Sequence, residues 1–116
     1  MEAKTVAQSE VMTSQIMTPL DVNASGNVHG GVIMRLTDSA AALVGIRHAR
    51  SNVVTASIDR MDFHHPVYIG ELVTMKASLN MTGRTSMEVG VRIEAEDRLT
   101  GEKRHVASSY LTFLPG

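Results

Sequence analysis

Apolar and polar residues repeat with two different periods along this chain. Between Gly30 and His48 the spacing is helical. Stepped at about 100° per residue, Ile33, Leu36, Ala40, Leu43 and Val44 fall on one side, and Gly31, Met34, Asp38, Ala41, Ala42 and Gly45 on the other. The spacing predicts one long helix. Its first face would lie on a sheet; its second, small residues around one acid, would let another backbone or a slim ligand come close. After the helix the period is two. Val54, Ala56 and Ile58 alternate with Thr55, Ser57 and Asp59, and Val73, Met75, Ala77, Leu79 and Met81 with Thr74, Lys76, Ser78 and Asn80. Met87, Val89, Val91, Ile93 and Ala95 stand against Glu88, Arg92, Glu94 and Glu96, and a run from about Arg104 to Leu114 has Ala107, Leu111 and Phe113 as its inward set. These read as half-buried strands, apolar on one face only. Pro66 with Gly70, then Gly83, then Thr100-Gly101 break the chain between them, and consecutive strands on short turns are expected to pair antiparallel. A segment from Ser9 to Met17, ended by Pro19, supplies a fifth strand.

Strand, loop, helix and four strands predict an α+β fold: a five-stranded antiparallel sheet wrapped around one long central helix. One helix cannot cover both faces of such a sheet. Its outer face and edges are therefore expected to be charged or paired with a second copy. A homodimer is the first expectation, because it gives Asp38 and its alanine strip a lid.

Composition narrows the function classes. At 116 residues, the chain reads as one domain over 1–116, with no room for a second core. Eleven basic and twelve acidic residues, no basic block and four Phe and Tyr in all leave neither the footprint nor the stacking rings of a nucleic-acid binder. The absence of cysteine excludes disulfides, a thiol nucleophile and thiolate metal sites, and fits a reducing compartment, with the cytoplasm as default. No apolar run approaches twenty residues, and MEAKTVAQSE lacks the features of a signal peptide, so neither a membrane span nor a leader is expected.

The candidate chemistry lies in the segment NASGNVHGGVIMRLTD, from Asn23 to Asp38. Gly30 and Gly31 stand where a helix begins, with unpaired backbone N–H groups, the positive end of the dipole and no Cβ to hinder a ligand carbonyl. They are placed to stabilise an oxyanion, or simply to make a tight turn. Asp38 is the one acid between Gly30 and Val44, with only Arg35 as a charged neighbour. Asn23, beside Ser25 and Gly26, reads by itself as a turn former. His29 caps the loop or donates a hydrogen bond near a ligand. His64 and His65 are adjacent, so on extended backbone they point to opposite faces, and no metal site is expected. Ser108 and Ser109 have no Asp–His relay and no GxSxG turn around them.

On these residues the chain resembles the hotdog-fold acyl-CoA thioesterases. Asn23, GNVHGG and Asp38 look like the Asn, His-Gly-Gly, Asp pattern of the phenylacetate-pathway thioesterases, with Asn six residues before the His and Asp nine after it. The half TASIDRMDFHHPVYIGELVTMKASLNMTGRTSMEVGVRIEAED looks more like the acyl-CoA hydrolases, which often have an aromatic where this chain has His29. The similarity runs from about Met12 to Leu114. It implies a hotdog fold and hydrolysis of a fatty or related acyl-CoA to free acid and CoA, a lipid-metabolism reaction with no cofactor, CoA being part of substrate and product. It implies that Asp38 of one subunit is base or nucleophile while Asn23, His29, Gly30 and Gly31 belong to its partner; by spacing alone, Asp38 lies some 10 to 12 Å along the helix from its start, awkward for one helix serving one carbonyl. It also brings Arg84, Thr85 and Ser86 near the CoA phosphates, and the dimer into a tetramer or hexamer. Two rivals share the fold. A non-catalytic acyl-CoA-binding, ligand-sensing module would bind without turnover; a dehydratase would need a His with a carboxylate aimed at a β-carbon, and no His at that family's spacing stands on this helix.

Overall fold

The computed structural model describes residues 9–116. Strand β1 (Val11–Ile16) leads through a single 3-10 turn at Pro19–Asp21 to helix α1 (Gly30–Ala49). Strands β2 (Val53–Phe63), β3 (Leu72–Thr82), β4 (Met87–Glu96) and β5 (Lys103–Pro115) follow. Most of the segment read as leaderless, residues 1–8, lies outside the described part. Helix α1 starts at the glycine pair and ends where Arg50 turns left-handed at φ 55° and donates its N–H to the Ile46 carbonyl at 2.7 Å. Among the described residues no helix is long and apolar enough to cross a membrane.

All five strands form one antiparallel sheet in the order β1-β3-β4-β5-β2. Pairing of consecutive strands holds from β3 to β5 but fails between β2 and β3. Strand β2 lies at the far edge, beside β5. Residues 64–71 carry the chain across three strand spacings, about 14 Å, which that many extended residues at about 3.3 Å each can span. The short-turn reading failed because this connection is a crossing loop and not a hairpin.

The sheet curls until α1 touches every strand. The buried helical positions are Ile33, Thr37, Ala40, Ala41, Val44 and Gly45, packed with a core that includes Met75, Val89, Ile93, Leu111 and Phe113. This corrects the two helix faces read from the spacing. Ala41 and Gly45, expected on the open side, are covered because the sheet bends round to them; a Cβ on Gly45 would lie 3.4 Å from Val53. Leu43, expected on the sheet, is 45% exposed, and Met34 and Ile46 are uncovered as well. The outward face of the sheet is polar, with Lys76 and Arg92 both bonded to Glu94, at 2.7 and 3.4 Å.

Strand β2 corrects a second reading. Its ladder with β5 shifts register between Thr55 and Ser57 and again between Ile58 and Arg60. Each shift is a β-bulge that turns the following side chains over. Thr55 pairs with Phe113, whose side chain is buried under the helix, whereas Val54 pairs with Leu114 and is 51% exposed. Below the bulge, Ile58 faces inward with Leu111 and Ser57 outward with Thr112. Strict alternation had put Thr55, Ser57 and Asp59 on one face. The bulge gives Thr55 to the helix side.

Candidate active site

Asp38 sits on the third turn of α1, half-buried, where β2 passes the helix. The Thr55 hydroxyl donates a hydrogen bond of 2.7 Å to its Oδ1. The bulge after Thr55 makes that contact: without it this register would send the side chain to the outer face. The sequence reading missed Thr55, since a threonine in an alternating strand reads as an outward polar residue. Its one sequence signal was a clean alternation that ends in Asp59 and Arg60, where β2 shifts register a second time.

The loop ahead of the helix is a small, internally bonded hairpin. Val22 bridges to Val28, and the Asn23 N–H donates to the Asn27 carbonyl at 2.8 Å. Gly26, at φ +82°, closes the turn by donating to the Asn23 carbonyl at 3.0 Å, a backbone that only glycine adopts without strain. Asn23 Oδ1 accepts the amides of Ser25 and Asn27 at 2.9 and 3.2 Å. Its side-chain carbonyl is therefore a turn former, and Nδ2 is the end left to meet a ligand. His29 is the N-cap residue of α1 in extended conformation, but its ring makes no capping bond. Its backbone does the work: N–H to the Asp21 carbonyl at 2.9 Å, carbonyl to the Val32 amide at 3.0 Å.

Gly30 and Gly31 open the helix. Gly31 is exposed, and a Cβ on it would meet nothing within 4 Å. Gly30 lines a cleft of about 400 Å³ together with Val28, Ile33, Phe63, Pro66 and Val67, with His64 and His65 beside them. Asp38 is not among the residues of this cleft. The helix start and the acid are thus separate places on one chain, about 12 Å apart along the axis.

Arg84 to Ser86 belong to neither half of the helix start. They form the β3–β4 turn, closed by the Gly83 amide on the Ser86 carbonyl at 2.8 Å. The register puts this turn at the other end of the molecule: Met87 next to it pairs with Phe113 and packs on Gly45, whereas Phe63 beside Gly30 pairs with Ala107. Within one chain, then, Asn23, His29, Gly30 and Gly31 come together, Asp38 stands apart with Thr55, and the Arg84 turn lies opposite the helix start.

A second pair the sequence reading missed supports the loop. Glu71, 9% exposed, takes both guanidinium nitrogens of Arg104, at 2.5 and 2.6 Å, and the Tyr68 amide at 2.7 Å. Burial pushes the Glu71 carboxyl up, but the bonds from Arg104 and Tyr68 outweigh it and hold the group below the ordinary glutamate value.

The family model described as the thioesterase superfamily matches residues 25–102. The chain belongs to that superfamily. Its helix and five-stranded sheet are the hotdog fold of its structural neighbours. A hexameric acyl-CoA thioesterase, solved in its apo form, superimposes with a TM-score of 0.95 at 36% identity, over 99% of this chain and 74% of that one. An acyl-CoA hydrolase from Staphylococcus aureus, solved with butyryl coenzyme A, coenzyme A and coenzyme A disulfide, gives 0.93 at 33% identity, over 98% and 70%. That hydrolase has also been solved with one Asn, one Asp or one Thr replaced by alanine. Those three residues follow one another at intervals of 15 and 17, the intervals from Asn23 to Asp38 and from Asp38 to Thr55 here. The human cytosolic acyl coenzyme A thioester hydrolase is 35% identical over 115 residues, 97% of this chain. The chain spans only 30% of that relative's length.

Proposed function

We propose that this thioesterase-superfamily chain hydrolyses an acyl-CoA thioester to a free acid and CoA, in a site completed by two copies. The observation that carries the reading is the Asp38–Thr55 pair, set apart from the glycine helix start and at the spacing of the residues replaced in the Staphylococcus aureus hydrolase.

In this reading the Gly30 or Gly31 amide, at the positive end of α1, polarises the thioester carbonyl and stabilises the oxyanion that forms on it. Asn23 Nδ2 holds the carbonyl or the water. Asp38 comes from the partner copy. Thr55 fixes one carboxylate oxygen at 2.7 Å, leaving the other to take the proton of the attacking water. Collapse of the tetrahedral intermediate expels the CoA thiolate. Direct attack by Asp38 would pass instead through an anhydride; when water opens it at the Asp38 carbonyl, oxygen-18 from water appears in the Asp38 carboxylate after a single turnover. His29 contributes through its backbone, as the residue that sets the loop onto the helix. Arg84, Thr85 and Ser86, far from the helix start of their own chain, would reach CoA phosphates across the same contact between copies. The cytoplasm, where acyl-CoAs meet their hydrolases in a reducing medium, is the compartment this reading expects.

Release of CoA thiol from a series of acyl-CoAs tests the proposal. Asp38→Ala should lower turnover about 10² to 10⁴-fold with the fold retained, and Gly31→Pro, which removes an amide where the first helical turn tolerates proline, should do comparable damage. Binding of acyl-CoA without turnover in the native chain would favour a ligand-sensing module and end the hydrolase reading.

A further inference from the structure

The crossing loop, residues 64–71, does two jobs at once. On one side His64, His65, Pro66 and Val67 wall the cleft beside Gly30. On the other it is stitched to the hairpin that carries Asn23. The Val28 amide donates to the Val67 carbonyl at 2.7 Å, the Ile69 amide to the Gly26 carbonyl at 3.2 Å, and Asn27 bridges to Tyr68. A loop that runs over a sheet end has no ladder to hold it. Backbone bonds hold its two ends, the His64 amide to the Val106 carbonyl and the Gly70 amide to the Met17 carbonyl, both at 2.8 Å, and side chains brace what lies between.

Glu71 and Arg104 are those side chains, Arg104 from within β5 and Glu71 from the last residue of the loop, just ahead of β3. Arg104, near the start of β5, grips Glu71 with both nitrogens, donates to the Pro66 carbonyl at 2.8 Å, and lies 5.5 Å from the centre of the Tyr68 ring. Glu71, next to β3, also receives the Tyr68 amide at 2.7 Å, while its backbone carbonyl takes the Met17 amide at 2.9 Å. One ion pair thereby ties Pro66 and Tyr68, in the middle of the loop, to its last residue and to β5, and the loop braces the hairpin on which Asn23 and the first amides of α1 depend.

We propose that Glu71 and Arg104 are positioning residues for the oxyanion half-site: they act on turnover through the crossing loop and the Asn23 hairpin, touching no substrate themselves. The inference rests on the thioester-hydrolase reading above. A misplacement of about 1 Å can cost about a hundredfold in rate, so a loosened hairpin should show in turnover before it shows in binding. A bidentate pair is also geometrically selective, and lysine cannot replace the arginine at such a site.

The test uses the full chain with Glu71→Gln, Arg104→Lys and Arg104→Met, each assayed well below its unfolding midpoint and normalised to folded protein. Glu71→Gln and Arg104→Met should lower kcat about tenfold for CoA esters and for short thioesters alike, within that misplacement range, with KM little changed. Arg104→Lys should recover only part of the loss. In the same proteins the amides of Gly26, Val28 and Ile69 should exchange hydrogen faster by a similar factor, while those of β4 stay protected. Native kcat in Glu71→Gln, or lost kcat with unchanged exchange in the hairpin, would overturn the proposal. If the native chain turns over no thioester, the hydrolase reading fails by itself. The exchange arm then still decides whether the pair holds the loop: slow exchange in all three variants would refute the clamp.

Discussion

Thr55 is the residue on which the acid's geometry turns. Removing its hydroxyl with Thr55→Val leaves Asp38 Oδ1 without the 2.7 Å donor while preserving shape and strand preference. A hydrogen bond to a charged group is worth about 1.5–3 kcal/mol, so kcat should fall roughly ten- to a hundredfold, with little change in KM, as thiol-release kinetics would read directly. Glu71 carries a pH signature of stability. Its carboxyl is held below the ordinary 4.5, so the folded state binds the proton more weakly than the unfolded chain does. The stability it adds is complete above the unfolded value and drains as pH falls through the lowered folded one. Glu71→Gln should therefore cost about 1–3 kcal/mol at neutral pH, and the gap between variant and native melting temperatures should close in acid melts. Legibility differs residue by residue. Asp38, Asn23 and the glycine pair stood out because they lie within sixteen residues of sequence. Thr55 and the Glu71–Arg104 pair did not, because bulge geometry and a contact between positions 71 and 104 join them, and neither leaves a local pattern.

At the scale of elements, the helix bounds and the four strands after it were readable from period and breakers, and β1 from the break at Pro19 more than from its alternation, which is poor: α1 begins at Gly30 as expected and ends one residue past His48. The faces were not. A flat-sheet picture assigns one face of a helix to the core, but a sheet that wraps covers the small-residue side as well, and it needs Ala41 and Gly45 to come close. Gly45 has room for one methyl and no more, with Val53 at 3.4 Å and Met87 at 3.7 Å from a built Cβ. Gly45→Ala should raise stability by up to about 1 kcal/mol through helix propensity, whereas Gly45→Leu should cost about 1–3 kcal/mol for overpacking. Urea unfolding of both would check the sign in each. The place of β2 was illegible for a related reason. Nothing local tells a hairpin from a crossing loop of the same length, and only the free edge of β5 decides where the strand pairs.

At the scale of the whole molecule, one chain keeps the candidate site residues apart. The helix start with Asn23 lies at one end, the Asp38–Thr55 pair partway along, and the Arg84 turn at the other end. In the proposed reading a two-fold assembly solves this: an isologous contact would set each chain's acid against its partner's amides and make two equal sites. Arg84→Ala should then raise KM for CoA esters more than for short thioesters that lack the nucleotide, and equal effects on both would remove its phosphate role. The most direct measurement mixes two crippled chains. Asp38→Ala and the double variant Asn23→Ala/Gly31→Pro should each be almost inactive alone. Unfolded and refolded together, they form hybrids in which one of two sites receives an intact acid from one copy and an intact helix start from the other. With random pairing of an isologous dimer, about a quarter of the native rate should return. If the mixture stays as inactive as its parents while hybrids demonstrably form, the acid and the amides work within one chain and the shared site is wrong.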